Sequence, residues 1–173
     1  QIYVMRASDG LIQREISTSE TDAHDPVWSP DASQIAFTAT YNFFGNIHPQ
    51  LYATRYDGSG QALNPIGVCD FSQGRCDWTV PNYSPSWSPD GLTMAFVSPR
   101  VFQGSVLDYS QVYRMSAVDG SDRKRCSYTN PAAVIPDASN YDPAWSPDGT
   151  QLAFTSEESG SPQIYLMPSE CDR

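Results

Sequence analysis

The sequence predicts an all-β fold: about three repeats of a four-stranded antiparallel sheet, with no helix. Three observations predict it. DPVWSPDASQIAFTA from Asp25, SPSWSPDGLTMAFVS from Ser84 and DPAWSPDGTQLAFTS from Asp142 align without gaps, their tryptophans Trp28, Trp87 and Trp145 recurring at intervals of 59 and 58 residues. A second set, QIYVM from Gln1, QLYAT from Gln50, QVYRM from Gln111 and QIYLM from Gln163, recurs with it. Charged residues are only 17%, while the chain carries 11 Gly, 14 Pro and 10 Tyr, a mixture suited to short strands and frequent turns.

Each element follows from local chemistry. The residues up to each Trp read as a short strand. Ser29-Pro30-Asp31-Ala32 and its two copies read as tight turns, in which proline presets φ and the aspartate accepts from nearby donors. Gly91 and Gly149 follow the aspartate in the later copies, where a positive φ is expected; Ala32 departs from that pattern. Gln34 to Thr38 alternates polar and apolar, with Ile35 and Phe37 on one face. The Gln-Ile-Tyr segments alternate likewise, Ile2 and Val4 on one face and Tyr3 and Met5 on the other. Asp9-Gly10, Asp57-Gly58 and Asp119-Gly120 are hairpin turns. A weaker strand follows each, such as Gln13 to Ser17 or Lys124 to Tyr128. The chain thus reads c-d, a-b-c-d, a-b-c-d, a-b-c, each full set of four being one β-propeller blade.

Trp-Ser-Pro-Asp-Gly, Ala-Phe, Ile-Tyr-x-Met and Asp-Gly in this order resemble the WD40-like Asp/Pro repeat of the TolB-like β-propeller family. Similar blades occur in prolyl oligopeptidase-type peptidases and in pectate-fragment lyases. The resemblance covers nearly the whole chain and implies scaffold rather than chemistry. Residues 1–173 are expected to form a single propeller unit, partial or completed by assembly. Its blade-like repeats are expected at about 25–66, 84–128 and 142–173, with 1–17 as flanking strands.

The net charge of −10 excludes a nucleic-acid groove, since the only basic cluster is Arg123, Lys124 and Arg125. No window approaches the roughly 18 apolar residues of a membrane span. The four cysteines form no Cys-x-x-Cys unit. An even count suggests two disulfides in an oxidising compartment, periplasmic or extracellular. Cys69 and Cys76 read as a local staple in a loop, and Cys126 with Cys171 follows by elimination. Four buried free thiols are the alternative.

Length varies in the b-c segments Thr40 to Pro49 and Pro99 to Ser110, and in the d-a segments Gly67 to Tyr83 and Thr129 to Tyr141. The a-b and c-d turns stay tight. Long loops are therefore expected on one face and tight turns on the other, and a rigid scaffold places binding residues on such loops. The candidate binding residues there are Tyr41, Phe43, Phe44, His48, Trp78, Tyr83, Phe102, Tyr109 and Tyr141. Their alternative role is to pack the loops themselves. Asp31, Asp90 and Asp148 are read as turn residues and the three tryptophans as packing. Asp25 and Asp142 lie where a cation could be lined, with Ser84 breaking the set. Two histidines, His24 and His48, and no Gly-x-Ser-x-Gly assign no catalytic group, metal or cofactor.

The function expected is a non-catalytic secreted or periplasmic module for protein interaction or assembly. The alternative is a carbohydrate-binding, carbohydrate-active or peptidase-associated propeller using the aromatic loops. About three blades leave open sheet edges, so a piece of a longer propeller, a ring closed by two chains or an edge-paired polymer is each expected to resolve them.

Overall fold

The computed structural model describes residues 1–17, 22–40, 48–57, 64–66, 69–70, 75–76, 80–102, 105–127 and 138–171. These form fifteen strands. A leading hairpin pairs β1 (Tyr3–Met5) with β2 (Ile12–Glu15). The first blade is β3 (Asp22–Trp28), β4 (Gln34–Thr40), β5 (Pro49–Arg55) and β6 (Asn64–Ile66), hydrogen-bonded in chain order. A small hairpin, β7 (Cys69–Asp70) with β8 (Arg75–Cys76), sets the backbones of Cys69 and Cys76 opposite one another. The second blade is β9 (Tyr83–Trp87), β10 (Thr93–Phe102), β11 (Ser105–Ser116) and β12 (Lys124–Arg125). The third sheet is β13 (Asn140–Trp145), β14 (Gln151–Ser156) and β15 (Gln163–Pro168).

The Ser-Pro-Asp turn is built three times in one way. Asp31 Oδ1 accepts from Ser29 Oγ at 2.6 Å and from the Ser33 backbone N–H at 3.0 Å. Ser29 Oγ in turn accepts from the Gln34 N–H at 2.9 Å, closing the turn onto the next strand. Asp90 with Ser88, and Asp148 with Ser146, repeat the 2.6 Å contact. The carboxylates are structural, as their recurrence in every tight turn implied. Ala32 adopts a φ of 57°, close to the 74° of Gly91 and Gly149, so the alanine bears a conformation that its glycine counterparts adopt at less cost.

The innermost strands share a second device. Asp25, Ser84 and Asp142, each followed by proline, have φ values of 54°, 52° and 52°. Each lies within a break in the a-b register, so the proline without an N–H sits at a bulge where no ladder bond is lost.

Each sheet of the repeat carries one cross-strand aromatic pair. Phe37 and Tyr52, Phe96 and Tyr113, and Phe154 and Tyr165 are register partners with ring centroids 6.1, 5.7 and 5.9 Å apart. Ile2 and Val4 of the leading hairpin join Ile35 and Phe37 in one core. Ala36 and Leu51 meet Met94, Phe96 and Met115 in the next. Val112 and Cys126 meet Leu152 and Phe154 in the third. Burying a phenylalanine such as Phe96 contributes about 1.5–3 kcal/mol, which makes these junctions the main source of stability.

Polar groups lock the same junctions. Asn82 Nδ2 donates to Gln50 Oε1 at 2.6 Å, while Gln50 Nε2 donates to the Val80 carbonyl at 2.9 Å. Asn140 Nδ2 donates to Gln111 Oε1 at 3.1 Å, and Gln111 Nε2 to the Ala138 carbonyl at 3.1 Å. All four side chains are at most 2% exposed. Trp145 Nε1 donates across its junction to the Ser86 carbonyl at 3.0 Å. A disulfide joins Cys126 to Cys171. Trp28 differs from its counterparts: it is 47% exposed and rests on Tyr56, because no described strand precedes it on that side.

Candidate functional site

The two faces of the stack differ in construction. On one, the a-b and c-d turns are tied together: the Tyr56 N–H donates to Ser33, Ala117 to Leu92 and Ser169 to Thr150, at 3.3, 2.9 and 3.1 Å. This face is short and repeats with little change. On the other face the b-c segment of the second blade is a β-ribbon rather than the loop expected between Pro99 and Ser110. Pro99 pairs with Ser110, and after a register shift Val101 pairs with Val106 and Phe102 with Ser105. The β-branched Val101 and Val106 favour strand pairing, and Pro99 is accommodated beside the irregularity. β10 and β11 therefore run to 10 and 12 residues, against 7 each for β4 and β5, and the ribbon projects beyond the blade.

Of the residues expected to bind, Tyr41, Phe43, Phe44 and Trp78 lie outside the described residues. The backbone of Phe102 lies at the ribbon tip, opposite Ser105. Tyr83 and Tyr109 are half-buried near the ribbon base, and the Tyr83 hydroxyl is hydrogen-bonded to Ser110 Oγ. Ser110 in turn donates its N–H to Ser139 Oγ at 3.3 Å, linking the ribbon to the third blade. Tyr141 is half-buried, and its phenol is pushed above its ordinary value by burial and then by the carboxylates of Glu157 and Asp142. His48 is exposed at the start of β5. Tyr83, Tyr109 and Tyr141 thus share the long-segment face, with Ser110 and Ser139 between blades.

His24 Nδ1 lies 3.0 Å from Asp25 Oδ2, and Ser84 Oγ donates to the same oxygen at 3.4 Å. This order puts the carboxylate in the middle. Activation of a serine needs the imidazole there, so the trio is not a nucleophilic triad. Among the described residues no three His, Cys, Asp or Glu side chains converge as metal ligands.

Arg123 belongs by sequence to the basic run with Lys124 and Arg125, but its guanidinium lies over the rings of Phe96 and Tyr113 at 4.8 and 5.0 Å. It donates to Asn82 Oδ1 at 2.9 Å and Ser98 Oγ at 2.8 Å. The cation is committed to the junction between the first and second blades. Sequence reasoning also missed two grooves on the tight-turn face. One, of about 470 Å3, lies among Asp90, Arg114, Trp145, Asp148 and Glu170. The other, of about 390 Å3, lies among Asp31, Gln34, Trp87 and Asp90. Both follow from the repeat, each being floored by the tryptophan of the later blade.

No protein-family model matches the chain. An uncharacterised peptidase of Bacillus subtilis, YuxL, is 30% identical over 84% of this chain and 19% of its own length. The Tol-Pal system protein TolB of Bordetella pertussis is 31% identical over 49% of this chain and 26% of its own length. The chain thus spans between a fifth and about a quarter of these curated relatives. Among solved structures, a TolB from Agrobacterium tumefaciens superposes with a TM-score of 0.68 at 21% identity, over 96% of this chain and 50% of that one. An oligogalacturonate lyase from Vibrio parahaemolyticus superposes with a TM-score of 0.58 at 14% identity, over 96% of this chain and 41% of that one. Repeat, strand order and neighbours together give the chain β-propeller blades similar to those of TolB proteins.

Proposed function

We propose that the chain is a non-catalytic protein-interaction module of the periplasm or another extracytoplasmic compartment, binding its partner on the long-segment face. The projecting β10–β11 ribbon carries this reading. It extends the paired backbone of one face only, on a scaffold whose repeated carboxylates are already engaged in turns. The likeness to a Tol-Pal system protein supports it. The Cys126–Cys171 disulfide supports an oxidising compartment. Replacing residues 100–109 by Asn-Gly would join Pro99 and Ser110 through a tight hairpin turn. The expected result is an unchanged melting transition with loss of partner capture from the native extract. Undiminished capture overturns the reading.

A second reading, a propeller that presents glycan or peptide to an enzyme, draws on the peptidase and lyase neighbours. Titration with oligogalacturonides separates the two. Saturable binding that Tyr141→Ala abolishes supports the glycan reading, and no heat or shift supports the protein partner.

A further inference from the structure

The two grooves of the tight-turn face are one groove built twice. Ser29, Pro30 and Asp31 line the first where Ser88, Pro89 and Asp90 line the second. Trp87, Asp90 and Gly91 of the first recur as Trp145, Asp148 and Gly149 of the second. One position on strand c sets the two apart. Arg114 pairs with Ala95 in the second blade, and the equivalent partner of Ala36 in the first blade is Ala53. The later groove therefore holds a guanidinium among Asp90, Asp148 and Glu170, with the Arg114 Nη1 donating to the Ser169 carbonyl at 3.2 Å. The earlier groove, of about 390 Å3, is lined by two carboxylates and, among the described residues, by no Lys, Arg or His.

Both carboxylates of the earlier groove stay charged. The hydroxyls of Ser29 and Ser88, then the backbone N–H groups of Ser33 and Leu92, hold Asp31 and Asp90 below the usual carboxylate range. The turn bonds of Asp90 fall on Oδ1, so this carboxylate keeps an oxygen for a cation. The floors of the two grooves also differ. Trp145 Nε1 is fixed to the Ser86 carbonyl. Trp87 Nε1 is buried and, alone among the buried side-chain polar atoms of the described residues, has no hydrogen-bond partner. Packing alone holds the Trp87 ring, which leaves its face adjustable to a cation.

We infer that the groove between the first and second blades binds a small organic cation of the guanidinium class, which takes between Asp31 and Asp90 the place that Arg114 holds in the sister groove. Two carboxylates alone would accept many cations. The arginine of the sister groove narrows the class, since the same turn aspartates, proline and tryptophan surround a guanidinium there. An aromatic floor favours the same choice, because a planar, weakly hydrated cation stacks on indole more readily than a strongly hydrated metal ion does. The site lies on the opposite face from the projecting ribbon, so its failure leaves the protein-interaction reading standing.

The test is calorimetric titration of the chain at low ionic strength with agmatine, whose guanidinium and ammonium match the two carboxylates. The neutral-headed analogue N-carbamoylputrescine, with urea in place of guanidinium, is the control. The expected result is saturable binding of one agmatine per chain, roughly tenfold tighter than that of the control. Ala53→Arg, which installs the arginine of the sister groove, should abolish that binding. Arg114→Ala, which removes it from the sister groove, should add a second site. Agmatine that binds no tighter than the control overturns the inference, as does an Arg114→Ala chain that is folded by circular dichroism and still takes one equivalent. An Ala53→Arg chain that is folded and binds like the parent overturns it too. A blocked Gly-Arg-Gly peptide that binds more tightly than agmatine overturns it in favour of an arginine side chain of a protein.

Discussion

Cys126, just past the outermost strand of the second blade, is disulfide-bonded to Cys171, just past the last strand of the third. The bond ties two blades at their outer rim, where Cys126 already packs with Val112 and Leu152. It closes a separation of 45 residues. Restricting an unfolded loop of that size stabilises by about 2–4 kcal/mol. The pair Cys126→Ser with Cys171→Ser should therefore lower the unfolding free energy in urea by that amount.

Ala32 offers a test with the opposite sign. It holds a φ of 57° where its counterparts are glycines. Ala32→Gly should raise stability by about 0.5–1 kcal/mol, read from the denaturant midpoint, because relief of left-handed strain outweighs the glycine's added chain entropy. Gly91→Ala should lower it by about 1 kcal/mol. The added Cβ would meet only Pro30 Cδ at 3.8 Å, so that loss is conformational rather than steric.

The turn aspartates predict a limb of acid lability. The Ser29 hydroxyl, then the Ser33 N–H and hydroxyl, hold Asp31 at about 2 instead of its ordinary 3.8. Asp90 and Asp148 are lowered in the same way, first by Ser88 and Ser146. A carboxylate depressed by folding contributes stability that is complete above its unfolded value and lost as pH falls through the folded one. Urea midpoints should hold above about pH 5 and fall from about pH 4 towards pH 2. Asp31→Asn should flatten part of that fall.

Arg123 predicts that charge alone does not suffice at the blade junction. A lysine keeps the cation but loses the planar contact with Phe96 and Tyr113 and the shared donation to Asn82 and Ser98. Arg123→Lys should cost about 1 kcal/mol in a chemical melt. Arg123→Ala should cost more and loosen hydrogen exchange at Asn82.

What the sequence reveals and what it conceals divide along chemical lines. Ser88, Pro89, Asp90 and Gly91 are readable because a turn is closed by groups within a few residues of one another. The Phe96–Tyr113 alternation is readable because a strand's period places both side chains on one face. The Gln50–Asn82 and Gln111–Asn140 pairs are not, since they bridge intervals of 32 and 29 residues that differ between repeats. The segment from Pro99 to Ser110 reads as a loop and concealed the ribbon, whose register sets Val101 opposite Val106, a pairing no local turn signal announces. Arg123 gave no sequence signal beyond its basic neighbours, because its partners are contributed by three other strands or their edges. Of the expected aromatic site, Tyr83, Tyr109 and Tyr141 share one face, with Ser110 the common neighbour of the first two.

The most direct measurement places a photo-crosslinking residue at Ser105, the ribbon tip, or at Val118, a position 84% exposed on the tight-turn face. Each variant is irradiated in its native extract, and its adducts are mapped by mass spectrometry. The account predicts a discrete protein adduct from position 105 and none from position 118. Adducts from position 118 alone, or from both positions alike, would contradict it.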